Sequence, residues 1–96
     1  MIISKDGIVS TVSNQTGIGV FETEKIVDAF VSEIMKEVAK GNMVCIKNFG
    51  TFKTVRRAER IGRNLNTMES VRIPARIEPK FKPSDNFKNI THKEVG

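Results

Sequence analysis

Side chains that could do covalent or metal chemistry are scarce in this sequence. The chain has one histidine, His92, and one cysteine, Cys45. Zinc sites and Cys/His or Ser/His/Asp catalytic groups need several such side chains, so one subunit does not supply them. No glycine-rich phosphate loop and no carboxylate pair in an acid/base arrangement is present in the sequence pattern. We therefore expect a protein without enzymatic activity, metal or other cofactor.

The positively charged side chains are concentrated in one segment of the chain. Residues 53–82 carry nine lysines and arginines against three glutamates, a net charge of +6, whereas residues 1–52 carry five lysines against six acids. All six arginines lie in the basic segment: Arg56, Arg57, Arg60, Arg63, Arg72 and Arg76. Arginine forms paired hydrogen bonds with phosphate and suits the negative potential of a narrow minor groove. These positions predict a polyanionic partner; a solvated basic face that maintains solubility is the alternative.

Length and composition indicate one soluble domain covering residues 1–96. The chain is 39% hydrophobic and 28% charged, with six phenylalanines and no tryptophan or tyrosine. So small a chain, with no second cysteine for a disulfide, buries a core with difficulty, which predicts a partner subunit. No stretch resembles an export signal or a membrane span. We expect an intracellular protein with no membrane partner and no small-molecule substrate.

Two helices are predicted in residues 1–41. Ser4 is suited to cap the first helix, which should end near Gly17, and the second should cover residues 20–40. The second helix carries two adjacent apolar rows, Ile26, Phe30, Ile34 and Val38 beside Val27, Val31 and Met35. Together the rows make a stripe wider than one small helix covers, so the helix needs a further partner.

Residues 43–82 predict an antiparallel sheet with a long basic hairpin. A short run at 43–46, in which Cys45 is expected in the core, is followed by strands at 51–60 and 70–78. The hairpin, from about residue 55 to 77, has legs that extend about 30 Å at about 3.3 Å per residue. No helix is left to cover it, so it should protrude or lie against a partner.

After the sheet, Ser84 is suited to cap a short last helix containing Phe87 and Ile90. The tail that follows, to Gly96, is expected to be loosely held.

The order of these elements, together with three local motifs, resembles the bacterial histone-like HU/IHF family. The motifs are Asn48-Phe49-Gly50-Thr51-Phe52, Arg60-Ile61-Gly62-Arg63-Asn64, and Ile73-Pro74-Ala75 followed by Phe81-Lys82-Pro83. Each motif is weak alone, but together they are specific, and the resemblance covers nearly the whole chain.

The resemblance implies an α+β fold: a helical base and a three-stranded antiparallel sheet with a protruding β-hairpin arm, in an intertwined homodimer. Residues 1–41 would form the helical dimerisation base, 43–82 the sheet with the arm at about 55–77, and 83–96 the short helix and tail. The dimer core would be filled by aromatic side chains: Phe49, Phe52, Phe81 and Phe30. A heterodimer with a related chain is the alternative assembly.

The resemblance also implies double-stranded DNA as the partner. HU and IHF are themselves standard examples of minor-groove architectural proteins, which bend or compact DNA with little base readout. Matches to the family's DNA contacts are Arg57, Arg60, Arg63 and Asn64 on the arm and Lys5 and Lys82 on the body. The other arm arginines, Arg56, Arg72 and Arg76, are further DNA-binding candidates. A cytoplasmic, nucleoid-associated protein is expected.

The arm departs from the family pattern at its tip. Leu65 stands where the family usually has proline, and we expect it to act as an apolar wedge. Met68 replaces a glycine, which disfavours a turn that needs positive φ. Ile61 replaces a cation, and Arg76-Ile77 replaces a Ser-Lys pair, which moves one charge to the other face of the strand.

Two other binding functions share the basic hairpin: RNA binding and the clamping of an acidic protein. Readers of single-stranded RNA usually display aromatic side chains on a sheet, and residues 55–77 contain none. An acidic protein partner predicts tight complexes without nucleic acid and no steep salt dependence on DNA.

Overall fold

The structure, a computed structural model, describes residues 1–92, so the end of the expected tail, 93–96, lies outside the described residues. The chain forms two units, of which the first is Met1–Lys36. Helix α1 covers Lys5–Thr16 and helix α2 covers Val20–Ala39, so α2 continues into the second unit. Helix α1 ends where expected, because Gly17 takes a left-handed φ of 75° and donates its N–H to the Ser13 carbonyl. Ser4 lies at the N-cap position, but its side chain makes no capping hydrogen bond.

Two buried polar side chains hold the connection between α1 and α2. The Ser13 hydroxyl donates to the Ile18 carbonyl at 2.6 Å. The Thr23 hydroxyl donates to the Gly19 carbonyl at 2.9 Å. Burial of these hydroxyls is compensated by hydrogen bonds, so the Ile18-Gly19 turn is fixed by the helices on both sides of it.

The apolar surface of the helices is largely uncovered in the single chain. Among residues 1–92, the buried hydrophobic side chains are Val9, 2% exposed, and Val38, 7% exposed. Large exposed hydrophobic side chains on α2 include Val20, Phe21, Ile26, Phe30, Val31 and Met35. The wide stripe expected from the sequence is therefore present, and apart from the buried Val38 the chain leaves it half-buried or exposed.

The second unit contains the sheet, which is antiparallel and three-stranded as expected. Strands β1 (Val44–Ile46), β2 (Gly50–Arg57) and β5 (Arg76–Pro83) lie in the order β1-β2-β5. The β1–β2 turn places Asn48 at a φ of 64°, which asparagine tolerates better than most residues. The prediction that Cys45 is a core residue is wrong for the single chain: its side chain is exposed, because alternation places it opposite its half-buried neighbours on β1.

The arm is a separate two-stranded ribbon and does not simply continue the sheet. Strands β3 (Arg60–Arg63) and β4 (Ser70–Ile73) pair with each other only. The sequence predicted uninterrupted strands over 51–60 and 70–78, and this is wrong at 58–59 and 74–75, where neither leg is a strand. Pro74 explains part of the break, since it has no N–H to donate to the facing strand.

Aromatic packing joins the sheet to helix α3, which covers Asp85–Thr91. The Phe49 ring lies 5.1 Å from Phe81 and 5.5 Å from Phe87, and Phe52 lies 4.7 Å from Phe81, between ring centroids. Ser84 caps α3 as expected, since its hydroxyl accepts the Phe87 N–H at 3.2 Å. These rings form a half-exposed aromatic cluster in the second unit.

Neither membrane-spanning helices nor metal-binding clusters occur within residues 1–92. None of the helices there is both long and apolar enough to cross a bilayer. No group of three or more His, Cys, Asp or Glu side chains within the same residues is placed to hold a metal ion.

Gly50 should be intolerant of a side chain. A Cβ at Gly50 would lie 2.5 Å from the Lys82 carbonyl oxygen and 2.6 Å from the Phe81 ring. We expect Gly50→Ala to lower the free energy of unfolding by about 1–3 kcal/mol, as overpacking does, in urea titrations at a fixed protein concentration.

Gly7→Ala is the matched control for this prediction. Gly7 lies within α1, and its Cβ would meet only the flexible Ile3 side chain, at 3.3 Å. Alanine there should raise stability by about 0.5–1 kcal/mol through helix propensity. Equal stabilities for Gly50→Ala and the parent protein would contradict the close approach.

Candidate nucleic-acid interface

The base of the arm gathers two arginines around one carboxylate. In the β2–β5 register Arg57 is opposite Arg76, and Val55 is opposite Glu78. Alternation along the strands therefore puts Arg57, Arg76 and Glu78 on one face. Glu78 accepts the Arg57 Nε–H at 3.3 Å through one oxygen and the Arg76 Nε–H through the other.

This arrangement keeps Glu78 ionised. Its pKa lies below the ordinary value because of the hydrogen bonds from Arg76 first and Arg57 second. The two guanidinium groups outnumber the carboxylate, so the cluster retains one net positive charge. The resulting site is cationic and polar, which suits an anion such as a phosphate.

The gap between the sheet and the ribbon opens a cleft beside this cluster. The pairs Arg57↔Arg76 on one side of the gap and Arg60↔Ile73 on the other keep the same register, so neither leg has an inserted residue. The cleft has a volume of about 380 Å³, and its lining residues are Arg57, Ala58, Arg60, Arg76 and Glu78. Three of the predicted DNA-binding arginines are thus brought to one place.

Beyond the gap, Arg72 is paired with an acid of the opposite leg. Its Nε lies 2.7 Å from Glu59 Oε1, and its Nη2 donates to Glu59 Oε2 at 2.9 Å. This two-point geometry is the strongest form of an arginine–carboxylate contact, although both side chains are exposed and solvent weakens it. Arg72 is therefore charge-neutralised in the free protein.

The remaining arm arginines are free of acids. Within residues 1–92, Arg56, Arg60 and Arg63 have no carboxylate oxygen within 4.0 Å. Arg63 and Arg60 lie on β3, at pairing positions opposite Ser70 and Ile73, and their side chains are exposed. These side chains can meet a polyanion without first breaking an ion pair.

Asn64 organises the tip of the arm. Its N–H donates to the Glu69 carbonyl at 2.9 Å, its carbonyl accepts the Met68 N–H at 2.7 Å, and its side-chain oxygen accepts the Asn66 N–H at 3.0 Å. The bond from the Asn66 N–H is a turn-forming bond typical of asparagine. The predicted contact residue Asn64 therefore has a structural function in the free protein, which is to hold the loop that carries Leu65.

The tip itself presents apolar side chains. Leu65 is 85% exposed and Met68 is 63% exposed. Met68 takes a φ of 60°. The family pattern has glycine here, which adopts a positive φ freely, whereas methionine adopts it at an energetic cost. Leu65 is thus an exposed apolar side chain at the end of the arm, and its action as a wedge stays a prediction.

The two body cations differ in their surroundings. Lys5 belongs to the first unit, where its Nζ lies 2.8 Å from Asp28 and 3.6 Å from Glu24. Its pKa is raised, chiefly by the hydrogen bond to Asp28. Lys82 belongs to the second unit and lies exposed on β5, opposite Thr51.

Sequence reasoning missed the contacts of the two arm glutamates. In the charge count, Glu59 and Glu78 only reduce the net charge. The alternation of Arg76 and Glu78 at i and i+2 was the available signal, since it puts both on one strand face. The pairing of Arg57 with Glu78 depends on the cross-strand register, which composition does not contain.

Comparison with known proteins decides the family. The model of the bacterial DNA-binding protein family matches residues 3–92. The chain belongs to this family. It is 37% identical over 86 residues to the DNA-binding protein HU of Lactococcus lactis, a match that covers 90% of this chain and 94% of that protein. It is 33% identical over 94 residues to the HU of Xylella fastidiosa strain Temecula1, covering 98% of this chain and all of that protein.

A solved family structure has the same fold. The chain is similar to Anabaena HU in its cocrystal with DNA, with a TM-score of 0.87, 27% identity, and coverage of 93% of this chain and 98% of that one. The α+β architecture and the HU/IHF resemblance expected from the sequence are therefore confirmed.

Replacement of Met68 by glycine should tighten the arm tip. Glycine at this position would adopt the positive φ without the steric cost, which for other residues is about 1–2 kcal/mol and is offset in part by glycine's greater entropy when unfolded. We expect slower hydrogen exchange of the Asn64 N–H and of the residue 68 N–H in Met68→Gly. Asn66→Gly is the control: Asn66 has no positive φ, so glycine there should speed exchange. Faster exchange in both variants would contradict strain at Met68.

Proposed function

We propose that this protein is an architectural double-stranded DNA-binding protein that acts as a homodimer. Two β-arms enter the minor groove with low sequence specificity and bend or compact the duplex. The proposal rests on the arm of this chain, which belongs to a family of DNA-binding proteins. The arm carries arginines that have no carboxylate partner within residues 1–92, and its tip is apolar and exposed. DNA-binding residues are proposed to be the arm groups Arg56, Arg57, Arg60, Arg63, Asn64, Leu65, Arg72 and Arg76 with the body cations Lys5 and Lys82.

The homodimer is supported by the apolar surface that the single chain leaves in water. Phe30 is 56% exposed and Met35 is 61% exposed, both on α2. Phe49 of the aromatic cluster is 40% exposed. Full burial of an exposed side chain of this size is worth about 1.5–3 kcal/mol, and covering the part still exposed here contributes a fraction of that. We infer that a second copy covers them, with Phe30, Phe49, Phe52 and Phe81 in or beside the shared core.

Minor-groove binding is supported by the composition of the arm. Arginine is attracted to the strong negative potential of a narrow groove, and the exposed Leu65 is an apolar side chain of the kind that separates stacked base pairs. The minor groove presents a largely degenerate pattern of base-edge groups, so low sequence specificity is proposed. The body lysines would then contact flanking phosphates.

The cellular setting follows from the DNA partner. We propose that the protein is part of the nucleoid in the cytoplasm and that it catalyses no reaction. The matched relatives are named as DNA-binding proteins, and nothing among them favours RNA or an acidic protein as the partner.

Arg60 should contribute directly to DNA affinity. It lines the cleft and has no acidic partner among residues 1–92, so Arg60→Ala removes a charge that is free for phosphate. We expect weaker binding to a 30-base-pair duplex, with the slope of log K against log salt reduced by about 0.9 for each phosphate that the side chain had neutralised. Lys36→Ala, on α2, is the control with the same charge change and should leave the slope nearly unchanged. An unchanged slope in Arg60→Ala would remove Arg60 from the interface.

Leu65 should determine how much the DNA bends. Energy transfer between dyes at the two duplex ends reports bending, and at saturating protein Leu65→Ala should lower the transfer efficiency because the wedge is truncated. The salt slope should stay the same, since the substitution changes no charge. Ile61→Ala removes apolar surface from an exposed residue on β3 and should leave the bend intact. Full bending by Leu65→Ala would assign the bend to other contacts.

A further inference from the structure

The two glutamates of the arm hold their arginines in different ways. Glu59 gives both carboxylate oxygens to one guanidinium, that of Arg72, and forms a neutral pair. Glu78 gives one oxygen to Arg57 and the other to Arg76, and both contacts are to Nε. The second arrangement leaves the terminal Nη groups of both arginines unused by Glu78 and retains a net positive charge.

We infer that Glu78 is a positioning residue, which orders Arg57 and Arg76 so that together with Arg60 they bind one phosphate of the DNA backbone in the cleft. This inference rests on the proposed function and deepens it. A carboxylate beside a polyanion repels it, so Glu78 can assist binding only through the arginines that it orders.

The geometry of the cleft supports a phosphodiester as the ligand. The cleft lies at the gap in the arm, and its lining residues include three arginines and one glutamate. Guanidinium Nη groups form paired, charge-assisted hydrogen bonds with phosphate oxygens. Glu78 holds the two Nε atoms from one side, so those side chains are ordered before the phosphate arrives and lose less freedom on binding.

Glu59 has the opposite effect on DNA binding. The Arg72–Glu59 pair is neutral, and a phosphate that contacts Arg72 competes with a carboxylate already bound at two points. Removal of the Glu59 charge therefore frees Arg72 to bind a phosphate. Removal of the Glu78 charge instead lets Arg57 and Arg76 leave the positions in which they could bind a phosphate together. The two residues are matched in type and lie on the same hairpin.

The test compares Glu78→Gln with Glu59→Gln, each of which removes one negative charge per arm. Affinity is measured for a 30-base-pair duplex across a salt series. Glu59→Gln should bind more tightly, with a steeper salt slope. Glu78→Gln should bind about two- to tenfold more weakly despite its gain in positive charge. This range corresponds to the cost of ordering one long side chain on binding. Urea unfolding of both variants confirms that the fold is kept.

A second part of the test examines whether the effect of Glu78 on binding requires Arg57 and Arg76. In a protein carrying Arg57→Ala and Arg76→Ala, Glu78 has no arginine to position, so Glu78→Gln should now tighten binding by removing repulsion alone. Tighter binding by the single variant Glu78→Gln would overturn the inference and show that Glu78 only neutralises positive charge on the arm. Failure of the parent protein itself to bind the duplex would instead overturn the proposed DNA function.

Discussion

Uncovered apolar surface is the constraint on which the rest of this structure depends. The single chain buries few hydrophobic side chains within residues 1–92, and α2 exposes large ones such as Phe30 and Met35. Exposed apolar area is unfavourable at roughly 25 cal/mol per Å², which favours the proposed association with a second copy. A homodimer of this chain carries two arms. The interface proposed to stabilise the protein would therefore also supply the paired arms proposed to hold DNA.

A second constraint is the constant register of the hairpin. Pairing from Gly50↔Pro83 to Arg63↔Ser70 follows one register, although the ladder is broken in the middle. The break therefore separates ribbon from sheet without changing which residues face each other. Charged groups at the base of the arm keep their cross-strand partners, and the cleft forms where backbone hydrogen bonds are missing. The gap is thus both the place where the backbone ladder is interrupted and the place where three arm arginines line a cleft.

The sequence was informative where a local rule acts alone. Gly17 ends α1 through its left-handed φ, and Ser84 caps α3 through its hydroxyl, as their residue types predict. The basic segment and its hairpin were also predictable, since charge and alternation are read directly. The ion pairs of Glu59 and Glu78 were not, because they depend on the register between distant residues. The break in the strands was signalled only in part, by Pro74, which lies on one leg of the hairpin. Phe30 as a dimer contact stays a prediction, since it depends on a second chain.

Net charge is therefore a poor measure of what the arm offers to DNA. Arg60 and Arg63 are free of acids within residues 1–92, Arg72 is neutralised, and the arginines on Glu78 share one carboxylate. The proposed contacts of these arginines with DNA are electrostatic and would be screened by salt, whereas the proposed insertion of Leu65 depends on apolar contact and would not be screened. Salt should then control how much DNA is occupied while the tip controls the shape of the occupied DNA. The proposed function thus divides affinity and bending between different parts of one hairpin, joined by the turn that Asn64 holds.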